Sequence, residues 1–351
     1  MFGDLIYKSL KLFATINLHF YYKKWQVNFV KPIPEGPVLF VANHQNSFLD
    51  AVVLACSTKR DPWFLARGGV FEKSWARKVL GWLRMAPVYR FRDGFSTLRK
   101  NDETITKCVS LLEKGESILI FGEGNHNDKY YLRSLQKGFA RIAAAAEEKN
   151  HGTLKVKIVP VGLQYDSLND FRSRVLVTFG NPITVHDIWD ASKNYQENLD
   201  ALIQKTEEHL KPLMLHIDPH AYDQKLAYFK ARRVIKKDLV EQLKADQQLV
   251  AEAPEQHNEQ APPTPKNVDV FNPLYWYERI NNFIPRSVIH WVLNNKVSDP
   301  QFIGSLKFAI GMVLVPIAYI AQTFLCYAIT GSLGIAGLYL ISLPFAVWLK
   351  R

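Results

Sequence analysis

The sequence predicts an α/β domain, a central sheet flanked by helices, with an amphipathic helix ahead of it and a membrane-spanning helical hairpin behind it. Three observations carry this prediction. Short apolar runs alternate with helical stretches between about residues 37 and 185. No residue from Phe308 to Leu349 is charged. The first 29 residues interleave apolar side chains with Lys8, Lys11, Lys23 and Lys24, which excludes the uninterrupted apolar core of a cleavable signal.

Residues 1–34 read as an amphipathic helical segment whose aromatic-rich side either lies in a lipid headgroup layer or packs on the domain that follows. Within residues 35–190 the strand candidates are "PVLFVA", "PWFLA", "APVYR", "SILIFG", "KVKIVPVGLQY" and "RVLVTFG". Helix candidates lie between them at 49–56, in "EKSWARKVLGWL", at 97–114 and in "GFARIAAAAEEKN". Residues 191–247 carry a charged helical pattern interrupted near Pro212 and Pro219. A Gln/Glu/Ala/Pro-rich stretch at 248–270 has the composition of a flexible linker, and 271–307 mixes aromatics with bases as an interfacial segment does. The uncharged run within 308–351 is long enough for two crossings of about 20 residues each, turned at "TGS". Lys296 and Lys307 before the pair, and Lys350 and Arg351 after it, place both flanks and the domain on the cytoplasmic side.

The chain has 351 residues, 44 Lys and Arg against 33 Asp and Glu, and a net charge of +11. This suits an anionic membrane surface or a phosphorylated substrate; no nucleic-acid module accompanies the charge, so a nucleic-acid partner is not expected. Cys56, Cys108 and Cys326 lie far apart without metal-ligand spacing, which suggests a reducing compartment and neither a disulfide framework nor a zinc site.

Four stretches at strand ends could carry chemistry, since ligands approach open α/β sheets there. In "NHQNSFLD", His44 could be a base oriented by Asp50, provided the intervening residues bend, because positions six apart face different sides of a regular helix. Alternatively Asn43 or Asn46 caps a helix and the His is incidental. "MAPVYRFRDG" offers Arg90, with Arg92 nearby, as a guanidinium for phosphate or as a surface ion-pairing residue. "FGEGNHNDKYYLRSLQK" offers the Glu123 carboxylate beside Gly124, His126 as a substrate-orienting or structural group, and positive charge at Arg133 and Lys137. "IVPVGLQY" has no titratable group before Tyr165 and reads as a strand lining a pocket.

In this order the four stretches resemble the glycerolipid acyltransferase superfamily, whose motifs run His-four residues-Asp, an Arg after a strand, Phe-Pro-Glu-Gly and a Val-Pro strand. The resemblance covers about residues 35–185 and extends to "FGNPI". It implies a central mixed sheet, His44 as general base, Asp50 as its orienting carboxylate, and an acceptor site of Arg90, Glu123 and Gly124; beside these, His126, Arg133 and Lys137 read from their own positions as further substrate-binding residues. The donor it implies is an acyl-CoA or acyl carrier protein thioester, used as substrate, with no cofactor or metal. The sequence departs from the pattern by five residues between His44 and Asp50, Gly122 in place of Pro, and "NHND" in place of Thr-Arg-Ser. The spacing, the following His126-x-Asp128 and "VSDPQFIGSLKFAIG" near the end look closer to the fungal glycerol-3-phosphate and dihydroxyacetone-phosphate acyltransferase branch. The expected activity is acylation of 1-acyl-sn-glycerol 3-phosphate at the membrane in phospholipid biosynthesis. The alternatives are acylation of glycerol 3-phosphate or dihydroxyacetone phosphate, or a non-catalytic membrane lipid-binding protein.

Overall fold

The computed structural model describes residues 2–89, 97–254 and 271–349. In chain order the elements begin α1 (Phe2–Tyr21), β1 (Lys24–Phe29), β2 (Val38–Ala42), α2 (Ser47–Ser57), β3 (Trp63–Arg67), α3 (Ser74–Trp82) and β4 (Met85–Val88). They continue with α4 (Thr97–Glu113), β5 (Ser117–Phe121), α5 (Gly138–Lys149), β6 (Lys157–Tyr165), β7 (Arg174–Phe179), β8 (Ile183–Thr184) and α6 (Val185–Ile188). The helices α7 (Tyr195–Leu210), α8 (Tyr222–Arg232), α9 (Leu239–Ala251), α10 (Pro273–Asn281), α11 (Phe283–Lys296), α12 (Ile303–Thr330) and α13 (Leu333–Leu349) follow.

The strands form one mixed sheet in the order β1-β7-β6-β2-β5-β3-β4, with β8 on β6. β6, β2, β5, β3 and β4 are mutually parallel, whereas β7 runs antiparallel to β6 and carries β1 parallel to itself. A strand between two parallel neighbours is covered on both faces, which is why β2 reads "VLFVA" without a polar residue and is buried throughout. Its alternation sorts the two cores. Val38, Phe40 and Ala42 join Tyr7, Leu18 and Tyr21 of α1, Leu49, Val53 and Leu54 of α2, and Phe308 of α12. Leu39 and Val41 face α4, α5 and α7 through Cys108, Leu112, Phe139, Ala143, Leu199 and Leu202.

Several boundaries differ from the sequence reading. The N-terminal helix stops at Tyr21, and residues 24–29, expected to be helical, are an edge strand in register with β7. The local run "KWQVNF" alternates polar and apolar residues and finds its partner 150 positions later, at Lys24–Arg174, which local pattern does not reveal. α1 combines the two placements considered for it: Tyr7, Leu18 and Tyr21 are buried on the domain, while Phe2, Leu5, Leu12 and Phe13 are exposed. The charged region does not stand apart from the domain, since Leu239, Leu243 and Val250 of α9 pack with Leu176 of β7 and Phe229 of α8. α9 also runs to Ala251, into the start of the expected linker, while residues 255–270 lie outside the described residues. The apolar C-terminal pair is present, and among the described residues Pro300–Thr330 is the one helix long and apolar enough to cross a membrane. α13 has 17 residues. At 1.5 Å per residue it is about 26 Å long, a little under a hydrocarbon core of about 30 Å.

A buried ionic cluster fastens α8 and α9 to the sheet edge. Arg233 forks onto Asp246 at 2.7–3.1 Å and reaches Asp166 at 2.6 Å, and Arg174 pairs with the same Asp166. Asp246 is only 1% exposed, so removal of Arg233 leaves a buried carboxylate with the Gln242 amide at 2.8 Å but without the charge it pairs with. Arg233→Ala is expected to destabilise the folded chain by about 3–5 kcal/mol, read as a lower denaturant midpoint, with Arg233→Lys between it and the wild type.

Candidate active site

The site is built where β2, β5 and β6 end side by side. Asn43, the first residue past β2, is fully buried and bridges to β6: its side-chain amide donates to the Leu163 carbonyl at 3.0 Å and its oxygen accepts the Leu163 amide at 2.7 Å. Asn46 occupies the N-cap position of α2, but its side chain makes no capping bond and instead donates its amide to the Leu168 carbonyl at 2.9 Å. The chain turns through residues 44–47, and Ser47 enters the helix at φ +47°. A left-handed non-glycine residue costs about 1–3 kcal/mol and persists only where its surroundings impose it.

That turn closes the six-residue separation. His44 Nδ1 meets Asp50 Oδ2 at 2.8 Å. The same Asp50 oxygen accepts the Gln45 amide at 2.8 Å and the Asn46 amide at 2.7 Å, while Oδ1 accepts the Tyr165 hydroxyl at 2.6 Å. Asp50 is thus fully buried with four donors. Burial, and then the neighbouring Asp50 charge, push the Tyr165 phenol well above its ordinary value, so it stays a donor. With Nδ1 donating to Asp50, Nε2 is the His44 nitrogen that can take a proton.

Glu123 holds the same residue from behind. Its Oε1 accepts the His44 amide at 2.9 Å, its Oε2 accepts the Arg133 amide at 3.4 Å, and Asn127 donates its amide to the His44 carbonyl at 2.9 Å. Burial pushes the Glu123 carboxyl up to about 7, against the pull of these two amides and the Arg133 charge. The imidazole stacks on Phe121 at 3.9 Å between centroids, and the His126 ring stands edge-on to it at 5.5 Å. His126 in turn meets Phe302, just before α12, at 4.8 Å. Gly122 donates its amide to the Ala42 carbonyl at 3.1 Å, a bond that a proline at this position could not make. Gly124 turns the chain at φ +70°, where a side chain would be strained. Gln45 Oε1, Ser47 Oγ and Asn127 Nδ2 are shielded from solvent without a protein partner among the described residues.

The acyltransferase family model matches residues 24–164, from β1 to β6. A chloroplastic 1-acyl-sn-glycerol-3-phosphate acyltransferase of Arabidopsis thaliana is 30% identical over 139 residues, 38% of this chain and 36% of that protein. Glycerol-3-phosphate O-acyltransferase 1 of Saccharomyces cerevisiae is 37% identical over 92 residues, 26% of this chain and 12% of that protein. Residues 24–164 belong to the glycerolipid acyltransferase superfamily. The chain thus spans about a third or less of the length of these relatives. The crystal structure of the 1-acyl-sn-glycerophosphate acyltransferase PlsC from Thermotoga maritima aligns with 59% of this chain and 80% of its own, at 14% identity and a TM-score of 0.38.

Within this acyltransferase domain the structure gathers His44, Asp50, Glu123, Gly124, His126 and the Arg133 main chain at one end of the sheet. Lys137 pairs with Asp200 of α7 at 3.1 Å, since it stands at the start of α5, where α7 packs. Glu123 serves as a backbone clamp on His44, a role its position in a Gly-rich turn did not reveal. Arg90 and Arg92 lie outside the described residues. Sequence reasoning missed Tyr165 as a ligand of Asp50 and Phe121 as the platform for the imidazole; the only available signal was their place at the ends of strands neighbouring β2.

The Glu123 shift fixes the sign of a stability change. Below about pH 4.5 the carboxyl is protonated in both states; between there and pH 7 the unfolded chain ionises first, so stability falls as pH rises through this window. The fall is about 3 kcal/mol at most by linkage. Glu123→Gln removes the titration, and its thermal midpoint is expected to change less between pH 4.5 and 7 than that of the wild type.

Proposed function

We propose that this chain is a membrane-associated O-acyltransferase that moves a fatty acyl group from an acyl-CoA or acyl carrier protein thioester to the hydroxyl of 1-acyl-sn-glycerol 3-phosphate. The observation that carries the reading is the His44–Asp50 contact of 2.8 Å, which steadies the imidazole while leaving Nε2 as the basic nitrogen. The acceptor oxygen attacks the thioester carbonyl carbon as its proton passes to Nε2, and the buried Asp50 stabilises the resulting imidazolium. The tetrahedral intermediate collapses with loss of the thiolate, which takes the proton back from Nε2, so an ester and a thiol are formed and the base is regenerated. The thioester is already activated, so positioning supplies much of the remaining rate.

In this reading Arg90 binds the acceptor phosphate, Glu123 and Gly124 hold the wall behind the base, and His126 and Arg133 border the acceptor. The long apolar helix α12 supports membrane association, and the lysines on either side of the apolar pair support a cytoplasmic active face. A second reading, glycerol 3-phosphate or dihydroxyacetone phosphate as the acceptor, is favoured by the similarity to the yeast glycerol-3-phosphate enzyme and by the five residues between His44 and Asp50.

His44→Ala is expected to lower kcat by about 10³-fold in the purified chain, within the span general bases contribute. Acyl transfer at the wild-type rate by His44→Ala would refute the base assignment and leave lipid binding as the better reading. A panel of radiolabelled acceptors with each donor is expected to give its highest kcat/KM with 1-acyl-sn-glycerol 3-phosphate; a higher value with glycerol 3-phosphate or dihydroxyacetone phosphate would establish the second reading.

A further inference from the structure

The start of the membrane helix touches the catalytic loop directly. Ser305, fully buried in the first turn of α12, donates its hydroxyl to the Asn46 carbonyl at 2.5 Å, lies 3.3 Å from Asn46 Oδ1 and accepts the Leu49 amide at 3.4 Å. Gly304 permits that approach. A Cβ there would meet the Leu168 carbonyl oxygen at 2.2 Å and Asn46 Oδ1 at 2.8 Å. The Gly304 carbonyl accepts the Tyr21 hydroxyl at 3.3 Å, and Phe308, one turn on, is buried edge-to-face against Tyr21 at 5.2 Å. The first turn of α12 is therefore locked to both α1 and the loop.

The atoms it holds are those on which the dyad depends. The Asn46 carbonyl precedes Ser47, the residue in left-handed backbone, and the Asn46 amide is one of the donors that fix Asp50 Oδ2. A sparsely populated backbone state survives only where several contacts over-determine it, and Ser305 supplies two of them from 259 positions away. Deeper along α12 the exposed faces are apolar, with Ile317, Ile320 and Phe324 more than half exposed, so one helix joins the lipid-compatible surface to the active loop.

We propose that Ser305 and Gly304 are positioning residues: the first turn of the membrane helix holds residues 44–47 in the conformation that brings Asp50 to His44, and the dyad is complete only while that turn is docked. The inference rests on the acyl-transfer reading for its kinetic consequence but not for its structural one. The test uses the full chain in detergent with Ser305→Ala, and Thr330→Ala at the far end of the same helix as control. Two quantities are measured: kcat and KM for acyl transfer, and the rate at which diethyl pyrocarbonate modifies His44, followed by peptide mass spectrometry.

Ser305→Ala is expected to lower kcat about tenfold with KM within about twofold of wild type, the signature of a displaced base, not lost binding. It is also expected to speed His44 modification by about threefold or more, because the imidazole, whose side chain is 15% exposed, loses its fixed place. Thr330→Ala should match the wild type in both. Ser305→Ala with an unchanged kcat or an unchanged modification rate overturns the proposal. If the wild type acylates no acceptor, the functional reading falls, and the modification rate alone then decides whether the turn holds the loop.

Discussion

Asp50 is the residue on which the arrangement of the site depends. A carboxylate with no exposure is tolerable only when its oxygens are saturated, and here the donors come from the imidazole of His44, two successive backbone amides and a phenol from β6. Satisfying them forces the turn after β2, the left-handed residue at the head of α2 and the adjacency of β2 to β6. The carboxylate that holds the His44 imidazole therefore also shapes the loop that carries it, so folding and the geometry of the site share one constraint.

Around that centre each neighbouring element adds restraints of its own. β5 contributes the Phe121 face, and the turn that follows it the Glu123 carboxyl, whose burial favours the neutral acid close to pH 7. The loop after it contributes the Asn127 amide and the His126 ring. The C-terminal segment contributes Phe302 and Ser305. The long apolar helix α12 is thus fastened at its first turn to the loop that carries His44, through the Asn46 carbonyl.

The strands were legible where burial on both faces makes a run apolar, as in "VLFVA" and "SILIF", whereas β1, although "KWQVNF" alternates with the two-residue period of a strand, was merged with the amphipathic helix just before it. The pairing of His44 with Asp50 was legible as a possibility tied to a bend; the structure puts that bend at residues 44–47, ahead of the helix, and so reconciles six-residue spacing with contact. Lys137 stands at the start of α5 and pairs with Asp200 of α7, a contact between elements that its place near a Gly-rich turn does not signal.

The sequence by itself determined the alternation that makes an α/β sheet, the uncharged run that makes an apolar helix pair, and the residue types set at strand ends, since each depends only on neighbours within a few positions. The tertiary structure alone decided that Tyr165 completes Asp50, that Glu123 clamps the His44 backbone, that β1 closes the sheet and that Ser305 reaches Asn46. Those contacts join residues 79 to 259 positions apart, and which of them meet is fixed by strand order and helix docking, quantities that no local pattern of side chains encodes.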